Sequence, residues 1–293
     1  MRVAVAKYRI GAPADFAAFA ARQRGLLEEA ARAGAGLAVL PEYLSLELAA
    51  TFDASVRADL QASLVATQAH HDAYLALFSD LARQCGLLVQ AGSFLTDVGG
   101  RWRNRAWWFA PDGRRGFQDK LQLTGFEKAT GVIDGGDDLR VFDAGGVRAG
   151  IAVCYDSEFP LPVRAQAEAG ARLLLVPSCT DTDAGATRVR VGCLARALEN
   201  RLFVAQAVTA GEAPWSPALD VNTGEATLYA PMDRGLPADG ILATTRGDAA
   251  WAIADLDFDA LDASRAHAQV ANDRDWPAQL RPQVARARWD AGR

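Results

Sequence analysis

A layered α/β fold is what this sequence predicts, and three observations predict it. The first is a strand–helix–strand unit at the start. Arg2 to Tyr8 alternates and is rich in valine and alanine, Asp15 can cap a helix running to Ala33, and Leu37-Ala38-Val39-Leu40 is a short, wholly apolar strand. The second is the return of that order further on. Helix Leu161 to Ala169 leads to strand Leu173 to Val176, and helix Ala186 to Asn200 leads to strand Leu202 to Val208. The third is bulk: 50% of the 293 residues are hydrophobic, enough to bury a large core.

The elements follow in order. In the first helix Phe16, Phe19, Leu26, Leu27 and Ala30 recur near helical spacing, and Gly34 and Gly36 end it. Pro41-Glu42-Tyr43 follows the second strand. Ala49 to Leu64 is less regular and reads as a loop or short helices. Asp72 to Gln84 is a helix with Tyr74, Leu75, Leu77, Phe78 and Leu81 on its apolar side. Leu87 to Leu95 and Arg101 to Ala110 are strands, Pro111-Asp112-Gly113 is a hairpin-type turn, and Gly116 to Lys120 is the next strand. Leu121 to Glu127 is irregular. Leu139 to Phe142 and Val147 to Val153 form a hairpin around Ala144-Gly145-Gly146. Glu225 to Tyr229, Ile241 to Thr245 and Ala250 to Leu256 are strand-like. No internal repeat or low-complexity linker divides the chain. The expected organisation is one domain over residues 1–260 and an extended C-terminal tail over 261–293, packed on the body or on a partner subunit.

Composition excludes several classes of function. The net charge is −5 and there is no long basic run, which argues against a nucleic-acid partner. No apolar run is long enough to span a bilayer, and the N-terminus lacks the pattern of a signal peptide, so no membrane partner and a cytoplasmic location are expected. Cys85, Cys154, Cys179 and Cys193 form no CxxC pair. The histidines are His70, His71 and His267, so a metal site is not expected. His70 and His71 are adjacent and read as surface residues, and the cysteines as free thiols. There is no glycine-rich phosphate loop and no GxSxG elbow, and no cofactor is expected.

The chemistry gathers at strand ends. An apolar run from Val147 to Val153 stops at Cys154, followed by Tyr155-Asp156-Ser157-Glu158-Phe159-Pro160. Glu42 follows Val39-Leu40-Pro41 at another strand end, and Lys120 follows Phe117-Gln118-Asp119 at a third. In layered α/β proteins ligand sites lie where strands end, so three strands can deliver a carboxylate, an ammonium and a thiol to one pocket. A thiol is mostly protonated near neutral pH, and a carboxylate within reach can take its proton. A buried lysine can stabilise an oxyanion, and the Tyr155 backbone N–H, next after the cysteine, can be a second donor. No histidine lies near any of these strand ends. Taken singly, each residue also has a plainer reading: Glu42 as a helix cap, Lys120 as a solvated strand-end charge, Cys154 as core filling.

Together these segments resemble the nitrilase, or carbon–nitrogen hydrolase, superfamily over most of the chain. Leu40-Pro41-Glu42 is similar to its glutamate motif, Asp119-Lys120-Leu121-Gln122-Leu123 to its lysine motif, and Gly150 to Pro160 to its nucleophile motif. Gly170 to Ser178, Arg196-Ala197-Leu198-Glu199-Asn200 and Asn104 agree as well. The resemblance implies a four-layer α-β-β-α sandwich, assembled as a homodimer or higher homo-oligomer. It implies attack by Cys154 on a small-molecule amide or nitrile, release of ammonia or an amine, and hydrolysis of a thioester. Glu42 would be base and then acid, Lys120 the oxyanion stabiliser, and Glu127 the second glutamate that orients the site. Cys154-Tyr155-Asp156 is more similar to amidase and carbamoyl-hydrolase branches than to nitrile-specific ones.

Pocket candidates by position are Tyr43, Phe126, Glu158, Phe159, Cys179 and Thr180. The chain departs from the family at Val132 to Asp137, which replaces a Phe-x-Pro-Gly-like turn, and at Glu212 to Asp220, which has no familiar counterpart and is a candidate pocket wall. The competing readings are an N-carbamoyl-amine hydrolase or nitrilase of the same superfamily, and a non-catalytic binding protein that keeps the fold. A papain-like hydrolase lacks its histidine here.

Overall fold

The computed structural model describes residues 1–290; the last three residues of the expected tail, 291–293, lie outside the described residues. The strands in chain order are β1 (Arg2–Arg9), β2 (Leu37–Leu40), β3 (Leu88–Val98), β4 (Arg101–Phe109), β5 (Arg115–Asp119), β6 (Ile133–Asp134), β7 (Val141–Asp143), β8 (Arg148–Ile151), β9 (Leu173–Ser178), β10 (Phe203–Glu212), β11 (Val221–Asn222), β12 (Thr227–Tyr229), β13 (Ile241–Thr244) and β14 (Trp251–Asp255). The α-helices are α1 (Phe16–Arg32), α2 (Ala54–Arg57), α3 (Leu60–Thr67), α4 (His71–Cys85), α5 (Gly125–Thr130), α6 (Pro160–Glu168), α7 (Asp183–Asn200), α8 (Phe258–Ala266) and α9 (Asn272–Asp275).

β1 joins two sheets. Its first half pairs in parallel with β2 (Val3 opposite Leu37, Val5 opposite Val39), while its end pairs in parallel with β10 (Lys7 opposite Val208, Arg9 opposite Ala210). One sheet runs β5-β4-β3-β2-β1, with β14 antiparallel on the far side of β1; the other runs β10-β9-β8-β7, with β12 and β13 added to β10. Alternation along β1 then sorts its side chains. Val3 and Val5 join Leu37, Val39, Ile151, Leu173, Leu175 and Val204 in a core between the sheets, whereas Ala4, Ala6 and Tyr8 face Phe19, Leu27, Tyr74 and Phe78 of α1 and α4. α6 and α7 cover the outer face of the second sheet through Val163, Val189, Cys193 and Ala197. The order helix, sheet, sheet, helix is the four-layer sandwich.

Local chemistry sets the helix ends. The Asp15 side chain accepts from the Ala18 N–H and starts α1; Gly86, at φ 65°, ends α4. Two expectations change. The tail is not simply extended: α8 forms because Asp257 accepts from the Ala260 N–H while Phe258 and Leu261 are buried. A buried Arg201–Asp233 pair at 2.6 Å, with Arg201 also donating to Ser264 Oγ at 2.9 Å, ties this segment to the body, and Arg164 lies over the Trp276 ring. His70 and His71 are half-buried rather than free on the surface, because α1, β3 and β4 bring aromatic rings to them. His70 stacks on Phe16, and His71 meets Phe94 edge-on. No helix among the described residues is long and apolar enough to cross a membrane.

Candidate active site

The ends of β2, β5, β8 and β9 meet at one rim of the two sheets. Glu42 follows β2 on a turn where Tyr43 holds a left-handed φ of 61°. That turn presses against Gly92 of β3. A Cβ there would lie 2.4 Å from the Pro41 carbonyl oxygen, so only glycine allows the approach. Lys120 follows β5 and stays in register because its N–H donates to the Asn104 carbonyl of β4 at 2.9 Å. Beyond β8 the ladder runs one step further, Ala152 N–H to Leu175 O at 3.0 Å, and the chain then turns sharply at Cys154, whose φ is 48°. A non-glycine residue in this region costs about 1–3 kcal/mol and persists only where its surroundings enforce it.

Those surroundings are identifiable. Asp156 is buried and accepts from three backbone N–H groups, those of Leu121, Gln122 and Val153. One carboxylate thus clasps the segment after Lys120 to the segment before Cys154. Ser157 Oγ donates to the Cys154 carbonyl at 2.7 Å, and Arg196 of α7 donates to the Ser157 carbonyl at 2.9 Å. Burial pushes the Asp156 carboxyl up to about 6, against the N–H donors that pull it down. Its proton is therefore held more tightly in the folded chain than in the unfolded one, so its contribution is most favourable below about pH 4 and is lost as pH rises through about 6. The stability of the wild type relative to Asp156→Asn is expected to fall by on the order of 3 kcal/mol across that window. Denaturant melts of both proteins from acid to neutral pH check this; a pH-independent difference would refute it.

Lys120 is the hub of the buried cluster. Its Nζ donates to Glu42 Oε1 at 2.8 Å and lies 2.8 Å from Glu127 Oε2. Asn104 Nδ2 donates to the same Glu42 oxygen at 2.8 Å and to Glu127 Oε1 at 3.2 Å. Tyr43 OH donates to Glu127 Oε1 at 2.8 Å. Thr124 N–H donates to Glu127 Oε2 at 2.9 Å, while the Glu127 N–H donates back to Thr124 Oγ1. This capping box starts α5 and holds Glu127 in place. Across the gap between the sheets, the Cys179 N–H donates to Glu42 Oε2 at 3.0 Å. Every oxygen of both glutamates thus has a partner.

The electrostatics follow from burial and from two carboxylates around one ammonium. Burial disfavours the Lys120 ammonium, but the charges of Glu42 and Glu127 outweigh it and hold its pKa well above the ordinary range. Burial raises Glu42 despite Lys120, whereas at Glu127 the charge and hydrogen bond of Lys120 outweigh burial and lower it. Burial and the Glu42 charge push the Cys154 thiol well up, so it rests protonated, donating to the Cys179 carbonyl oxygen at 3.5 Å. A neutral thiol beside a carboxylate of raised basicity is the pairing that general-base activation needs. Cys179 is a second thiol in the same place, but its Sγ–H is turned to Asn222 Oδ1 at 3.2 Å and burial pushes it up to about 12.

A cavity of about 270 Å³ opens onto this cluster. Glu42, Tyr43, Lys120, Phe126, Cys154, Tyr155, Glu158, Cys179 and Thr180 all line it. Phe159 does not; its ring packs edge-on against Tyr155, 4.9 Å between centroids, at the start of α6. Glu127 lies behind Lys120 and is buried. Pro217, Ala218 and Asp220 supply a wall from the segment that had no familiar counterpart. Thr124, Asp181, Arg188 and Val189 were not anticipated. Thr124 had a readable signal, the Thr-x-x-Glu spacing of a capping box; Asp181 follows Thr180 past the end of β9, and Arg188 and Val189 come with α7, which packs beside the Cys154 turn where Gly192 meets the Ser157 carbonyl. Cys85 and Cys193 do not line the cavity.

Comparison with known proteins bears on the same residues. The carbon–nitrogen hydrolase family pattern matches residues 2–243. The chain is 30% identical over 276 residues to a probable hydrolase, YhcX, from Bacillus subtilis, covering 94% of this chain and 53% of that protein, so it spans about half of that relative's length. It is 26% identical over 215 residues to the omega-amidase NIT2-B of Xenopus laevis, covering 70% of this chain and 73% of that one. An amidase from Nesterenkonia sp. superposes with a TM-score of 0.67 at 25% identity, covering 94% of this chain and 96% of that structure. Nit3 of Saccharomyces cerevisiae, of the nitrilase superfamily, superposes at 0.72 with 19% identity over 94% and 96%.

Proposed function

Because the chain belongs to the carbon–nitrogen hydrolase family and is an enzyme of that family, we propose that it hydrolyses the C–N bond of a small amide through a thioester on Cys154, releasing ammonia or an amine. The observation that supports this reading best is the buried cluster itself. Lys120 is held between Glu42 and Glu127 at 2.8 Å from each, and Glu42, Lys120 and Cys154 line one cavity.

Glu42 takes the thiol proton as Cys154 attacks the carbonyl carbon. Charge then develops on the carbonyl oxygen, and the Lys120 ammonium with the Tyr155 backbone N–H would receive it. Glu42 returns the proton to the departing nitrogen. A water then attacks the thioester with Glu42 again as base, and the acid leaves. Glu127 touches no reacting atom in this scheme; it positions Lys120 and, through Asn104 and Tyr43, the Glu42 side of the site.

The test is ammonia release from a panel of small amides, ω-amides, N-carbamoyl amino acids and nitriles. Release from the amides by the wild type supports the reading. Release from nitriles alone, or from none of the classes by a well-folded protein, would overturn it. Glu127→Gln is expected to lower kcat by about 10²-fold with KM little changed, since it loosens the geometry of the ammonium rather than substrate contacts; steady-state kinetics separate the two, and a pure KM effect would reassign Glu127 to binding.

A further inference from the structure

Away from the reacting atoms, the ionisable lining of the cavity is one-sided. Glu158, Asp181 and Asp220 bring three carboxylates to it, and outside the Lys120 cluster Arg188 is the one cation among the described lining residues. These carboxylates are not used up by the protein. Glu158, four residues past Cys154, has a side chain only 23% exposed, and its nearest cation is Arg188 Nε at 3.8 Å, beyond hydrogen-bond length. The Arg188 side chain is itself 62% exposed, so solvent screens it. The Asp220 carboxylate accepts from the N–H of its neighbour Val221 at 2.9 Å, and no cation among the described residues pairs with it. Lys120 is committed to the reacting centre, where Glu42 and Glu127 hold it, and is not a partner for a charged group at the substrate's far end. Phe126, Val189, Pro217 and Val221 give the same cavity an apolar wall. The cavity of about 270 Å³ equals about nine water volumes, room for a short alkyl spacer.

Resting on the amide-hydrolase reading, we propose that the substrate is an amide whose far end is cationic, an alkylammonium or guanidinium, with Glu158 as the specificity-determining carboxylate. The carboxamide reaches Cys154, the alkyl spacer lies along the apolar wall, and the cation meets Glu158 with Asp220 and Asp181 at the rim. An anionic far end meets three like charges at close range, which costs affinity and slows encounter.

Three amides of matched length test this on the full chain: δ-aminovaleramide, valeramide and glutaramate, which are cationic, neutral and anionic. The expected order of kcat/KM is cationic over neutral by about tenfold and neutral over anionic by about tenfold, both ratios shrinking as salt is raised. Glu158→Gln is expected to pull the cationic-to-neutral ratio down several-fold, and Arg188→Gln to raise it. These ratios are informative because partial misfolding scales all three rates alike. Equal rates on the three amides, or glutaramate as the best of them (as it would be if Arg188 received a substrate carboxylate), would overturn the cationic-substrate inference and leave the hydrolase reading standing. No release from any of the three would overturn both.

Discussion

Cys154→Ala is expected to lower kcat/KM by about 10⁴-fold or more while leaving the fold in place. The two halves of that expectation have separate causes. The thiol is the only atom lost, and in the proposed scheme no other group can carry the acyl intermediate; Cys179 directs its thiol to Asn222 and not to Glu42. Structurally the loss is small. Cys154 Sγ makes one long contact, to the Cys179 carbonyl, and alanine accepts the same left-handed backbone about as badly as cysteine does. A stability change of about 1 kcal/mol, seen as a shift of a few degrees in the melting temperature, follows. Ammonia release and a thermal melt on the same preparation check both. Retention of the wild-type rate on any amide would end the proposed mechanism, and unfolding of the variant would mean that the thiol is chiefly a packing element.

Lys120→Ala should fail in both respects at once. Removing the ammonium takes away the side-chain oxyanion donor, worth about 10²–10³-fold in kcat. It also leaves Glu42 and Glu127, both buried, facing each other without a counter-ion. Breaking a buried ion pair by deleting one partner costs about 3–5 kcal/mol. The two effects can be pulled apart. Adding Glu42→Gln and Glu127→Gln to Lys120→Ala removes the orphaned charges, so a large part of the stability is expected to return while activity stays absent. Denaturant melts on the single and triple variants measure this. If the triple variant is no more stable than Lys120→Ala, the destabilisation comes from a packing void and not from unpaired charge.

How much of this was legible beforehand depends on the range over which each interaction acts. The N-terminal strand–helix–strand unit was readable because it is local. Apolar spacing, an aspartate cap and flanking glycines all act within a few residues, and Phe16–Arg32 and Leu37–Leu40 form close to where the pattern puts them. The reactive residues were readable for a similar reason, since each stands at the end of a strand-like stretch. What did not show was the support around them. Asp156 looked like one acid among several after the cysteine, yet it binds three N–H groups from two segments. The tail lacked a clear period because α8 is short, with two buried apolar residues and a hydrogen bond from the buried Arg201 to Ser264. Phe159 was assigned to the pocket by its nearness in sequence to Cys154, but the start of α6 turns it toward Tyr155.

By itself, the sequence determined the layered α/β class, the order of the elements and the identities of a carboxylate, an ammonium and a thiol at three strand ends. These depend on patterns of burial and on residue type, which are properties of short stretches. Only the tertiary structure decided that Lys120 lies between two glutamates rather than in solvent, that Cys179 meets Glu42 through its backbone N–H and not its thiol, and that Arg188 and Asp220 line the cavity. The physical reason is that each of those facts joins segments far apart in the chain across the gap between two sheets. The Glu42–Cys179 contact spans 137 residues, and no local pattern encodes which strand end will face which.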